Sequence, residues 1–142
     1  MRWLVAASVW VLTLTVILTG CSKEPVLDVE QIADVRLTCI QSCLEDERKP
    51  FTERIFDDGQ SIAAFARAVN EAEEMAGAID YGAYFQMTVQ LDNGNSREFH
   101  LNIQRTEEEQ NGLLVRLENT NVGYRIPAGL SESLEEIIYD QP

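Results

Sequence analysis

Between Arg2 and Lys23 the chain runs for twenty residues without a charge, WLVAASVWVLTLTVILTGCS. No other feature constrains the fold so strongly, because a run of this kind must be kept in a membrane, buried or removed. As an α-helix at about 1.5 Å per residue it reaches roughly 30 Å, the thickness of a bilayer's hydrocarbon core. Length alone therefore permits a transmembrane anchor. The single Arg2 is a thin positive flank for either an anchor or a cleaved signal peptide.

The end of the run separates the two readings. Leu18-Thr19-Gly20-Cys21 resembles the lipobox of bacterial lipoproteins, an aliphatic residue and two small ones before an essential cysteine. Small residues let the backbone enter a peptidase groove, and the cysteine thiol accepts a diacylglyceryl group before cleavage. The resemblance implies that residues 1–20 are a signal peptide and that Cys21 becomes a lipidated N-terminus. Two acyl chains hold a protein on a membrane where one gives only marginal binding. Ser22 is not the aspartate that retains lipoproteins at an inner membrane, so this motif fits cells with one membrane or two.

Without residues 1–20, 122 of the 142 residues remain, a length that suits one domain. Arg2 is the only charged residue removed, so the formal net charge moves from −13 to −14. Nucleic-acid binding needs clustered Lys and Arg, and this balance argues against it. It also argues against flat docking on an anionic bilayer, whose field acts within a Debye length of roughly 8 Å. Attachment is left to the lipid. Residues 21–30, CSKEPVLDVE, read as a short tether, and residues 31–142 as a single domain.

An exported location permits disulfides, and with Cys21 acylated two cysteines remain, Cys39 and Cys43. In an extended strand their Cα atoms would stand about 13 Å apart, beyond disulfide range. They can join only if CIQSC turns; otherwise they are free thiols, one or both packed in the core. A redox pair is more typically C-x-x-C, and a metal site needs ligands that the chain lacks. No cofactor is expected.

Apolar periodicity predicts the order β-β-α-β-β-β-β-α, an α+β domain with an antiparallel sheet of about five or six strands and helices mainly on one face. QIADVRLTCI alternates as a first strand, and FTERIF is a short second one. Asp57 or Asp58 caps a helix whose Ile62, Phe65, Ala66, Val69 and Ala72 share a face and which ends near Gly77. Asp57 and Gln60 fit a capping-box spacing, and Glu71, Glu73 and Glu74 fall toward solvent. YFQMTVQL and REFHLNIQ flank DNGNS, whose Asn-Gly suits a tight hairpin. Phe85, Met87, Val89 and Leu91 face one side with Phe99, Leu101 and Ile103. Tyr84, Gln86, Thr88, Gln90, Glu98, His100, Asn102 and Gln104 face the other. LLVRLEN and GYRIP follow as strands, and SESLEEIIY as a helix capped by Ser131 with Leu134, Ile137 and Ile138 inward.

These stretches together resemble the YhfM-like domain of lipoproteins from Gram-positive bacteria. The resemblance rests on the lipobox, the first strand, the acidic-capped FDDGQSIAAFARAVNEA, the hairpin with REFHLNI, and GYRIPAGLSESLEEII, and spans about residues 30–139. It implies the outer face of a cytoplasmic membrane, turned toward a cell wall. That family has no established activity and brings no catalytic residues. The Cys39 and Cys43 pair lies outside its pattern.

The only histidine, His100, sits mid-strand beside Glu98 and Asn102, where a solvated surface role is the simpler one. There is no G-x-S-x-G, H-E-x-x-H or phosphate-binding glycine loop. Glu107 to Glu109, Glu132, Glu135 and Glu136 fall in a loop and on a helix face, and DNGNS lacks the ligand spacing of an EF-hand. The expectation is a non-enzymatic, membrane-anchored binding module for a protein or wall component. Its candidate ligand face comprises Tyr84, Gln86, Gln90, His100 and Asn102. Two alternatives stand beside it: a small wall-modifying hydrolase with paired carboxylates, which needs a cleft with facing acids, and a cation or small-ligand sensor.

Overall fold

The computed structural model describes residues 24–140. The uncharged run, the lipobox and Cys21 lie outside them. Among the described residues no helix is long and apolar enough to cross a membrane.

Seven strands form one antiparallel sheet in the order β2-β1-β4-β5-β6-β7-β3. They are β1 Ile32–Cys39, β2 Glu53–Phe56, β3 Glu73–Glu74, β4 Phe85–Leu91, β5 Ser96–Asn102, β6 Gly112–Arg116 and β7 Gly123–Ile126. The helices are α1 Ser42–Glu45, α2 Gly59–Glu71 and α3 Ala128–Tyr139, with a 3-10 turn at Val29–Gln31. The period-2 segments all become strands; β3 and α1 are too short to show a period.

The inner face of the sheet carries Val35, Leu37, Met87, Val89, Phe99, Leu101 and Leu114, which pack with Phe65, Ala66 and Val69 of α2 and Leu134 and Ile138 of α3. Asp58 caps α2, its Oδ1 accepting from Ser61 N–H at 2.9 Å. The Asp57–Gln60 capping box is not the one used. Hydrogen bonds from the Ser61 backbone and side chain hold the Asp58 carboxyl below its usual range. The hairpin turns at Asn93-Gly94, where Gly94 takes φ +87° and Asn93 Oδ1 accepts from Asn95 N–H.

Four details depart from the sequence reading. The domain begins at Leu27 rather than residue 31: Leu27 is buried, and Asn70 bonds both its N–H and its C=O at 2.8 Å. Helix α2 stops at Glu71, well short of Gly77, because Ala72 turns to an extended conformation (ψ 138°). Glu73 and Glu74 then pair with Arg125 and Tyr124, covering the β7 edge, and Glu73 ion-pairs with Arg125. Helix α3 starts after Pro127, so Ser131 is a buried first-turn residue and not the cap. Its Leu134 and Ile138 are buried as expected and Ile137 is half-buried.

Candidate functional site

The outer face of the sheet is where the polar alternation points. From β3 at one edge the chain must return to β4 in the middle, and residues 75–84 make that crossing over β7, β6 and β5. The crossing is a strap, and specific contacts hold it down. Gly77 opens it with φ +82°. Ile79 lies on Gly123: a Cβ built there would come within 2.9 Å of Ile79 Cδ1. Tyr81 Oη and His100 Nδ1 are 2.9 Å apart. Asn102 donates from Nδ2 to the Gly82 C=O at 2.7 Å and accepts at Oδ1 from Tyr84 N–H at 2.8 Å. Beneath the strap Val115, opposite His100 in the ladder, is fully buried.

The five candidate ligand residues therefore divide. Tyr84 leaves the set: it precedes β4, where ladder alternation no longer governs its side chain, and it is buried. Its hydroxyl donates to Asp46 Oδ2 at 2.8 Å, and its ring meets Phe85 edge-on at 4.8 Å. Burial and that hydrogen bond push the Tyr84 phenol up. The Arg48 N–H first, and the Tyr84 hydroxyl second, hold Asp46 down. His100 and Asn102 are on the outer face but occupied by the strap, and burial lowers the His100 pKa. Gln86 and Gln90 stay on the uncovered half, half-buried, bonded to Glu98 Oε1 and the Asn95 C=O respectively. Thr38, Thr88 and exposed Arg36 adjoin them in the ladder.

The segment CIQSC turns, and Cys39 and Cys43 are joined by a disulfide with Cα atoms 5.3 Å apart. The turn brings Cys43 onto α1, and both sulfur-bearing residues are buried. Gln41 sits at the apex with φ 44°, outside the usual range of a non-glycine residue. The same turn clamps the strap. Gln41 Oε1 accepts from Ala83 N–H at 3.0 Å, and Ile40 N–H donates to the Tyr84 C=O at 3.0 Å. By loop-closure entropy a five-residue disulfide loop stabilises by about 2 kcal/mol. The double variant Cys39→Ser, Cys43→Ser should lose about that much in urea unfolding and exchange the Ala83 and Ile40 amide protons faster. Unchanged exchange there would remove the clamp.

The acidic loop folds onto α3, with Thr106 N–H donating to Glu135 Oε1 and Arg105 paired with Asp140. Glu107, Glu108, Glu109, Glu132, Glu135 and Glu136 rim an open cleft of about 230 Å³. All but Glu135 are exposed, whereas paired-acid hydrolysis needs one carboxyl raised by burial. Among the described residues no group of three or more His, Cys, Asp or Glu is placed to hold a metal ion.

A family model described as YhfM protein matches residues 38–142, more than half of the chain. The chain belongs to the YhfM family. No curated protein matches the sequence. Among solved structures, the fold is similar to the crystal structure of a thioesterase-like protein from Clostridium sporogenes ATCC 15579. The TM-score is 0.57 at 9% identity, over 81% of this chain and 100% of that one. At that identity the likeness is one of fold, and this member of the YhfM family shares an α+β architecture with it.

The strap is what the sequence reading missed. Its signals were there in GAIDYGAY, with two glycines bracketing Ile79 and Tyr81 in alternation, and in β6, where Leu113 and Val115 are apolar on the face that β4 and β5 make polar.

Proposed function

We propose that this YhfM-family domain is a non-enzymatic binding module held by a lipidated Cys21 on the outer face of a cytoplasmic membrane, in a Gram-positive envelope. The anchor rests on the lipobox pattern at the end of the uncharged run. One observation supports the binding role above the rest: the strap stops at β5. The β1–β4 half of the outer face keeps a row of hydroxyls and amides, Thr38, Gln86, Thr88 and Gln90, open to a partner. Such a row can hydrogen-bond a peptide or glycan across a flat surface without any pocket. The geometry favours a protein or wall component over a diffusible substrate, because this surface has no cleft with facing buried acids.

The test compares the native chain with a Thr88→Arg, Gln90→Arg variant in pulldowns from solubilised membranes and on isolated wall. The expected result is repeated recovery of one partner or retention on wall, lost in the variant. No partner and no wall retention in repeated trials contradicts the reading.

A further inference from the structure

A cavity lies on the other side of the molecule, on the inner face of the sheet where α2 no longer covers it. It holds about 370 Å³, within the range of small-ligand sites, roughly 300–1,000 Å³. Three clefts beside α3 are smaller, at 230 Å³ or less. Its walls combine two chemistries. Val26, Phe99 and Leu117 supply apolar surface, and Arg97 and Arg116 supply charge.

Both arginines reach it for a reason visible in the ladder. Arg97 stands opposite Val89 and Arg116 opposite Phe99, so both point to the inner face. They are diagonal neighbours across β5 and β6, a spacing of about 7–8 Å between Cα atoms, which long side chains easily close. In a chain with 24 acidic residues against 11 basic ones, cations usually find carboxylates, and Arg48, Arg67, Arg105 and Arg125 do. Arg97 and Arg116 form no ion pair among the described residues. Arg116 lies over the Tyr124 ring at 4.8 Å, which fixes its plane, and its Nε is buried without an acceptor. A buried guanidinium N–H lacking an acceptor costs free energy that a bound anion would recover. Two acids are near, Glu98 and Glu118. Glu98 bonds Gln86 on the outer face, and Glu118 is exposed in the turn after β6.

We infer that this cavity is a binding site for an alkyl phosphate: the phosphate held between Arg97 and Arg116, its apolar chain along Phe99, Leu117 and Val26. Guanidinium groups match phosphate oxygens with paired N–H donors, and a tetrahedral anion can be shared between two of them. Such a group reaches the site from a lipid headgroup or from a soluble phosphate ester. Val26 is five residues past Cys21, at most about 18 Å of chain, so an anchored protein keeps this mouth close to the bilayer. The membrane source rests on the proposed anchor; the phosphate site does not.

Calorimetric titration of the full chain in neutral detergent tests the site with three probes: hexyl phosphate, dihexanoyl phosphatidic acid and inorganic phosphate. Saturable binding of hexyl phosphate, weakened about tenfold or more by Arg97→Gln or Arg116→Gln and unchanged by Arg125→Gln, is the expected result. Tighter binding of the phosphatidic acid assigns a lipid source, and equal binding a soluble ester. Inorganic phosphate binding as tightly as hexyl phosphate overturns the apolar half of the site. No saturable binding, or binding unaffected by Arg97→Gln, overturns the whole. Because Arg97 is exposed, that variant keeps its fold even if loss of the Arg116–Tyr124 contact unfolds the other. Loss of membrane attachment with phosphate binding intact would count against the anchor and leave the site standing.

Discussion

Replacing Phe85 with alanine should lower the free energy of unfolding by about 3–5 kcal/mol. Phe85 opens β4, the strand that pairs with β1 on one side and β5 on the other, and its side chain is fully buried. The ring stacks on Phe51 with centroids 5.8 Å apart and takes the edge of Tyr84. It also sits opposite Cys39, so one side chain joins the sheet, the disulfide turn and the loop leading into β2. Alanine would leave a cavity at a point where three segments meet and none can move in to fill it. Against a total stability of about 5–15 kcal/mol, that loss leaves the domain marginal. Urea unfolding followed by fluorescence measures it, with Phe85→Leu as the control that fills most of the space and loses less than half as much. A loss below about 1 kcal/mol for alanine would show that the ring is not part of the core.

Gly123→Val should cost about 3 kcal/mol, the upper end of what an overpacked site usually costs. The strap explains why. A Cβ at 123 would lie 2.9 Å from Ile79 Cδ1 and 3.0 Å from its Cγ2, and 3.3 Å from Leu113 Cδ1. Valine adds two methyl groups beyond that, so Ile79 must lift. Lifting it draws Tyr81 off His100 and exposes Val115. The readout that separates this from a general loss of stability is local. In the variant, Tyr81 should become accessible to nitration and the His100 pKa should rise toward its ordinary value, since burial is what lowers it. An Ile79→Ala, Gly123→Val double variant should recover part of the loss, because the clash and its partner go together. No recovery would place the strain elsewhere.

Much of this fold could be read from the chain. Strands of seven or eight residues with strict alternation, such as β1 and β4, carry their own register, since a one-residue slip would put every apolar side chain in water. The α+β class, the antiparallel sheet and the Asn-Gly turn follow from that. Elements settled by tertiary context could not be read so. Glu73–Glu74 has no strand propensity; it is a strand because β7 needs an edge partner. Ala72 interrupts a helix that propensity alone would continue, because the chain must reach β7 there. The candidate face was half legible: alternation placed Gln86, Gln90, His100 and Asn102 outward, but periodicity does not report what later crosses a face. Tyr84 failed because alternation was extended one residue past the ladder. The arginine cavity needed the strand order, since residues 97 and 116 become neighbours only through the β5–β6 pairing.

The proposed envelope role depends most on Cys21, where a hydrophobic N-terminal run ends and a bilayer-held domain is proposed to begin. Intact mass of the full chain, expressed in a bacterium that processes lipoproteins and extracted from its membranes, tests this most directly. The predicted result is a chain starting at Cys21 and carrying diacylglycerol mass, absent from a Cys21→Ser variant. A chain that keeps residues 1–20 in the membrane, or one that starts elsewhere without added lipid, would contradict it.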